Sequence, residues 1–372
     1  MWQTEARVNL GAIRDNTALL KSGTSAEVMA VVKADGYGHG LVPSARAALA
    51  GGATWLGVCT IEEALALRQA DITAPVLAWL IAPGQALDTA ISANIDVSAS
   101  DVPLLREIIA AARQTGRTAR VHLKVDTGLS RGGAPISDWP TLVEAAAKAQ
   151  AEGSVEVVGV WSHFAYADAP GHPTIARQIT VFTEAVELAA SFGVRPAYRH
   201  LANSAATLTL PEAHFDLVRP GVAVFGLSPI PGTTRQYGLR PAMTLRAKVM
   251  LAKRVPAGSG VSYGHAYTTK SDTTLAVIPL GYADGIGRAA GNRGQILLGG
   301  KRRTIAGRVC MDQFVVDVGD DSVRSGDVAI VFGPGDDGEP TADDWAEALD
   351  TINYEVVTRI GPRVPRVYEG EL

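Results

Sequence analysis

Between residues 28 and 218, short β-branched apolar runs alternate eight times with longer alanine- and leucine-rich amphipathic stretches. This rhythm constrains the fold more than any other feature, because strand–helix alternation builds parallel sheets whose strands must be covered on both faces. The runs are Val28 to Lys33, Trp55 to Thr60, Pro75 to Leu80, Ile95 to Ser98, Arg120 to Asp126, Val155 to His163, Tyr198 to Ala202 and Phe215 to Val218. Between them Leu41 to Ala50, Ile61 to Ala70, Leu104 to Gln114, Leu142 to Ala151 and Ile175 to Phe192 carry the period of a helix. Eight such pairs in roughly 230 residues is the count of a (β/α)8 barrel. Three or four runs are weakly marked, which leaves a doubly wound open sheet as the other arrangement this alternation permits.

After "RPGVAVFGLSPIPG" the texture changes. From Leu239 onward "MTLRAKVMLAKRV", "TTLAVIPLGYADG", "GQILLGG" and "FVVDVG" are joined by glycine- and proline-rich turns, and only Asp343 to Asp350 reads as a clear helix. This is the pattern of a mainly antiparallel β domain. A barrel over residues 1–238 and a β domain over residues 239–372 follow, which suits a chain longer than most single cores.

Composition narrows function by exclusion. Apolar residues make up 47%, and a net charge of −4 offers neither a basic field for nucleic acid nor an acidic tail. Small-molecule ligands are the expected partners. Cys59 and Cys310 form neither a disulfide framework nor a zinc spacing, so a reducing cytoplasm is expected and a metal site is not. The start, "MWQTEARVNLGAIRDN", lacks the apolar core of a signal peptide, and the uncharged run from Ile72 to Leu87 is broken by Pro75, Pro83 and Gly84, so no membrane span is expected.

Lysines are scarce, eight against 26 arginines, which makes Lys33 in "MAVVKADGYGHG" conspicuous. An ammonium group carried to the end of an apolar strand is costly unless it snorkels to water or its lowered pKa keeps it reactive. A Schiff base with pyridoxal phosphate is the leading chemical use of such an amine.

Other polar residues crowd just after the barrel strands, where barrel enzymes place their chemistry. Tyr37 follows the first strand, Lys124 closes the fifth with Arg131 beyond it, and His163 closes the sixth. Asn203 and Ser204 follow the seventh, and Arg219, Gly221 and Val222 the eighth. Ser204, at an expected helix start, and Gly221 and Val222, where glycine permits close approach, together suggest a phosphate cup; an N-cap and a turn are their plainer uses. Arg219 cannot give up a proton, so a pyridine nitrogen facing it stays unprotonated and its ring stores less negative charge. That favours simple proton removal and return. Tyr263, Tyr267, Tyr282, Cys310 and Asp312 in the β domain are read from periodicity alone as packing or turn residues.

Taken together, "AVVKADGYGHG", "HLKVDTGLSRGG", "WSHFAYAD", "HLANSAATL", "LVRPGVAVFG", "VSYGHAYTT", "GYADGIGR", "GRVCMDQ" and "TINYEVVTRIGPRVPRVY" give the chain a resemblance, over nearly its whole length, to the alanine racemases. The resemblance implies a pyridoxal-phosphate isomerase that interconverts L- and D-alanine and supplies D-alanine for peptidoglycan. It implies two catalytic bases: Lys33, which also carries the cofactor, and Tyr263, presented by the other subunit of a homodimer and assisted by His163 and Arg219. By the same resemblance Tyr37, Ser204, Gly221, Val222 and Tyr354 hold the phosphate and Asn203 lines the cofactor pocket. Arg131 and the Met311 backbone take the substrate carboxylate, Lys124 matches a lysine often carbamylated, and Tyr282 and Asp312 belong to the entrance.

Leu129 and Ser130 stand where methionine and glycine are frequent in that family, and Phe225 where tyrosine is frequent. Neither departure is expected to touch a proposed base or phosphate ligand; substrate breadth is what they leave open. Rival readings are a broader amino-acid racemase, a noncatalytic cofactor-binding barrel, which the β domain and Tyr263 weigh against, a decarboxylase, which Arg219 weighs against, and a scaffold.

Overall fold

The structure, a computed structural model, describes residues 2–371. The chain opens with strand β1 (Thr4–Asn9) and the helix Leu10–Ser22, and then lays down β2 (Glu27–Val31), β3 (Trp55–Val58), β4 (Val76–Ala78), β5 (Asp96–Ala99), β6 (Ala119–Lys124), β7 (Val155–Trp161), β8 (Tyr198–His200) and β9 (Leu217–Val218). Strands β2 to β9 form one parallel sheet in the order β8-β7-β6-β5-β4-β3-β2-β9. The Asp216 N–H donates to Arg199 O at 3.1 Å and the Arg219 N–H to Ala202 O at 2.9 Å, so β9 also meets β8 and the sheet curls into a TIM-like barrel. The open doubly wound alternative is thereby set aside.

The strands are short and buried on both faces because helices cover them outside and side chains fill the ring inside. Met29, Trp55, Leu77, Val158 and Leu217 form a separate cluster, distinct from the large core between sheet and helices. Six of the observed strands end two residues before the expected ones. Lys33, Asp126 and His163 are among the residues that fall outside the strands, just beyond their C-terminal ends. Helices Leu10–Ser22 and Asn353–Thr358 were not expected, and the second is too short for a hydrophobic period to show; Leu87–Ser92 fills the segment between β4 and β5, where the strand–helix alternation calls for a helix.

The second domain contains β10 (Met243–Lys248), β11 (Leu251–Val255), β12 (Gly260–Val261), β13 (Tyr267–Thr268), β14 (Thr273–Ile278), β15 (Gln295–Leu298), β16 (Lys301–Thr304), β17 (Phe314–Gly319), β18 (Val328–Phe332) and β19 (Arg366–Glu369). Its largest sheet runs β16-β15-β18-β10-β1-β19, antiparallel except where β1 lies parallel to β19. The expected barrel range of 1–238 is therefore corrected at its start. Residues 4–9 pair with β10 from Thr4↔Ala247 to Val8↔Met243 and so belong to the β domain's sheet. The cause is tertiary, since an alternating edge-like strand is stabilised by whichever sheet offers it partners on both sides. Among the described residues no helix is long and apolar enough to cross a membrane.

Candidate active site

A cavity of about 520 Å³ opens at the C-terminal ends of the barrel strands. It brings together Lys33, Tyr37, Lys124, Arg131, His163, Asn203, Ser204, Arg219, Gly221, Val222 and Tyr354, together with Cys59, Trp79 and Trp161, to which the sequence attached no role.

Lys33 does not end the strand. β2 stops at Val31, and Lys33 is half-buried at the cavity wall, which corrects the expectation that the strand carries it at its end. Directly after it Ala34, Asp35, Gly36 and Tyr37 all take left-handed conformations, with φ of 53°, 53°, 61° and 52°. Each non-glycine residue held there costs on the order of 1–2 kcal/mol, so three within four positions persist only because neighbours over-determine them. Glu63 accepts from the Ala34 N–H at 2.6 Å, Asp35 accepts from the Leu41 N–H at 2.8 Å, and His39 Nδ1 donates to the carbonyls of Gly36 and Tyr37 at 3.0 Å. This turn sends the Tyr37 ring inward.

There Tyr37 packs against Phe225 at 5.1 Å and Tyr354 at 6.2 Å between ring centroids. The contact with Phe225 overturns one expectation: the phenylalanine departure does touch a proposed phosphate ligand. Burial pushes the Tyr37 and Tyr354 hydroxyls well above their usual range, so both remain donors at any working pH. A Cβ on Gly221 would lie 2.2 Å from the Tyr37 hydroxyl, which explains the glycine. Ser204 Oγ accepts from the Gly221 N–H at 2.8 Å and from Ala223 at 3.4 Å, leaving its own proton to donate. The helix Ser204–Thr209 is capped by Asn203, whose side chain accepts from the Ala206 N–H at 3.0 Å, so the plain N-cap reading of Ser204 fails. Tyrosine and serine hydroxyls converging where a short helix opens at Val222 make a donor set suited to a phosphate.

The opposite wall is cationic. Arg219, buried, donates from NH2 to Ser162 O at 2.8 Å and faces His163 Nδ1 at 3.4 Å. Its Cζ and the Lys124 Nζ lie 4.8 Å and 4.3 Å from the centroid of Trp161. Burial lowers Arg219 to about 9, still charged at neutral pH. Burial, then Arg219 and Arg131, lower Lys124 to about 8, and burial followed by the surrounding cations lowers His163 to about 3. His163 is therefore neutral. With Nδ1 toward a donor-only arginine, the proton is assigned to Nε2, where it can be offered outward.

Tyr263, Tyr282, Met311 and Asp312 are not in this cavity. They lie exposed on the β domain, where Tyr282 and Ala283 N–H donate to Cys310 O and Met311 O at 3.0 Å and Ser262 Oγ donates to Arg308 O at 2.7 Å. Asp312 pairs with Arg363 at 2.8 Å. Tyr267, read as packing, does bury part of its ring, but its hydroxyl donates to Asp317 at 2.7 Å.

Models of the alanine racemase N-terminal and C-terminal domains match residues 8–229 and 242–368. The chain belongs to the alanine racemase family. It is accordingly a racemase, an enzyme of the isomerase class. It is 68% identical to the alanine racemase of Salinispora arenicola over the full length of both chains, and 56% identical to that of Streptomyces coelicolor over 99% of this chain and 96% of that one. Its fold matches the alanine racemase of D-cycloserine-producing Streptomyces lavendulae with a TM-score of 0.99 at 56% identity, covering 100% and 98% of the two chains. A Bacillus anthracis alanine racemase with bound L-Ala-P matches with a TM-score of 0.92 at 35% identity, covering 99% of this chain and 96% of that one.

Proposed function

We propose that this racemase binds pyridoxal phosphate at Lys33 and interconverts L- and D-alanine by proton exchange between Lys33 on one face of the substrate and Tyr263 of a second copy on the other. The observation that carries this reading is one cavity holding an amine, a cup of phosphate donors and an arginine that stays charged at neutral pH. Relatives similar over their full length bear the alanine racemase name. When bound, the cofactor supplies an aldehyde that takes up amines and a ring that draws electrons from the α-carbon.

The chain's residues supply the rest. Tyr37, Ser204, Gly221, Val222 and Tyr354 bind the phosphate, and Asn203 lines the pocket beside them. Arg219 is a fixed cation at the cavity wall, and beside the cofactor's ring it would limit the negative charge stored there and so favour return of the proton. Inversion needs an acceptor and a donor on opposite faces, and a lysine and a tyrosine fill both roles because each can gain or lose a proton. Tyrosine ionises near 10, so its phenolate needs stabilisation, which the Nε2 proton of neutral His163 offers. Arg131 and the Met311 backbone orient the substrate carboxylate, while Tyr282 and Asp312 border the entrance. Lys124, lowered to about 8, keeps enough neutral amine at neutral pH to react with carbon dioxide, giving a carbamate that pairs with Arg131. A homodimer with shared sites, supplying D-alanine for peptidoglycan, completes the reading.

Deuterium wash-in tests it. Holoprotein given either alanine enantiomer in heavy water should place deuterium at the α-carbon while chirality is lost at a comparable rate. Wash-in without loss of chirality, or neither, rejects the assignment.

A further inference from the structure

The barrel interior holds a line of polar side chains that the reaction above does not use. Arg219 NH1 lies 3.2 Å from His200 Nδ1, His200 Nε2 lies 2.9 Å from His122 Nδ1, and His122 Nε2 lies 3.2 Å from Asp96 Oδ2. Asp96 Oδ1 in turn accepts from Arg120 Nε at 3.0 Å. Asp96, His122, His200 and Arg219 are 1%, 0%, 0% and 4% exposed, so no water competes along the line. It rises from the start of β5, through the middle of β6 and the end of β8, to the residue after β9, joining the barrel floor to the cavity.

Its direction is set by its ends. An arginine only donates and a carboxylate only accepts, so each imidazole between them must accept on Nδ1 and donate from Nε2. Both histidines are then neutral Nε2–H tautomers, and all three contacts are satisfied at once. Burial, followed by Arg219 and His122, holds His200 far below its usual protonation range, in keeping with this pattern. The chain also keeps space for it. A Cβ on Gly159 of β7 would fall 2.2 Å from His122 Nδ1 and 2.9 Å from His200 Nε2, on the hydrogen bond itself. Trp161 stacks parallel to His200 at 5.7 Å, and Trp55 packs edge-on to His122 at 5.5 Å, so each imidazole is packed against an indole.

We propose that Asp96 and His122 are positioning residues for Arg219, fixing its guanidinium through His200. This rests on the proposed role of Arg219 against the cofactor ring. NH1 is taken by His200 and NH2 by Ser162, which leaves Nε for a ligand in the cavity. Without a fixed acceptor at the far end, His200 can switch tautomer and turn an N–H against Arg219. The guanidinium then loses its seat, and polar groups buried in the barrel lose their partners.

Neutron diffraction on crystals of the wild-type holoprotein tests the line directly: deuterium should occupy Nε2, not Nδ1, of both His122 and His200. Deuterium on Nδ1 of either ring overturns the proposal without any variant. Asp96→Asn should lower kcat for alanine by roughly tenfold or more, as loss of a supporting partner commonly does, while KM changes little and the visible band of the bound cofactor shifts. A variant with unchanged kcat and band, or one whose only change is a lower melting temperature, overturns the positioning role. Wild-type activity on alanine, measured alongside, separates the two claims. Its absence rejects the function proposed above, whereas its presence with an indifferent Asp96→Asn rejects only this relay.

Discussion

Gly221 shows how a residue without a side chain shapes the site. Tyr37 is hemmed in by Phe225 and Tyr354, so its hydroxyl cannot retreat from a methyl group placed 2.2 Å away. Gly221→Ala should therefore displace a phosphate donor, and overpacking of about 1–3 kcal/mol corresponds to a weakening of cofactor binding by roughly five- to 150-fold. A pyridoxal phosphate titration followed by absorbance checks this, and unchanged affinity would remove Tyr37 from the cup. Most cavity residues were legible as residue types following apolar runs. Cys59, Trp79 and Trp161 were not, nor were His122 and His200 in the barrel interior, because a cysteine, a tryptophan or a histidine in an apolar stretch carries the same local signal whether it packs or works.

The turn after Lys33 is the element in which local rules are most openly broken. Three left-handed non-glycine residues are retained because Glu63, which caps the helix Ile61–Gln69 with Thr60, also accepts from the backbone of Ala34 and Cys59. Glu63→Ala removes these together and should lower stability by about 1–3 kcal/mol while accelerating hydrogen exchange at the Ala34 amide. Beneath the same turn Ser44 Oγ is buried with no partner among the described residues. Ser44→Ala should consequently be neutral or stabilise by up to about 1 kcal/mol, since it removes an unsatisfied hydroxyl and improves helix propensity. Thermal unfolding should place Glu63→Ala below the wild type and Ser44→Ala at or above it. Periodicity located the strand and the helix on either side, but the left-handed path between them depends on contacts to Glu63 and Leu41 that are distant in sequence or invisible to a period.

At the scale of the molecule, buried neutral histidines couple stability to pH. His39 is fully buried, stacked on Phe225 at 4.5 Å, and burial lowers it to about 4. Its unfolded counterpart titrates near 6.5, so between these values the unfolded chain binds the extra proton. The contribution is complete above pH 6.5 and is lost as pH falls toward 4, about 3 kcal/mol in all. Denaturant unfolding should show stability rising with pH across this window, and His39→Gln should flatten the rise. A second prediction concerns assembly. Tyr263 is 72% exposed and outside its own chain's cavity. Mixing Lys33→Ala with Tyr263→Ala chains should restore about a quarter of wild-type activity, because half of randomly paired dimers carry one intact site. Verified mixed dimers with no activity would reject the shared site.

The alternation of strand and helix determined a parallel sheet covered by helices, and the change of texture near Leu239 determined that a β domain follows, because burial on one face or two writes its period directly into neighbouring residues; the contacts between β9 and β8 decided that the sheet closes into a barrel. The recognised motifs likewise named most of the cavity's residues before their geometry was known. Only the tertiary structure decided that β1 joins the β domain's sheet, that Tyr37 is wedged between Phe225, Tyr354 and Gly221, and that Asp96, His122, His200 and Arg219 stand in one line. These are contacts between residues far apart along the chain, formed when the ring closes, and no local pattern records which distant side chain will meet which.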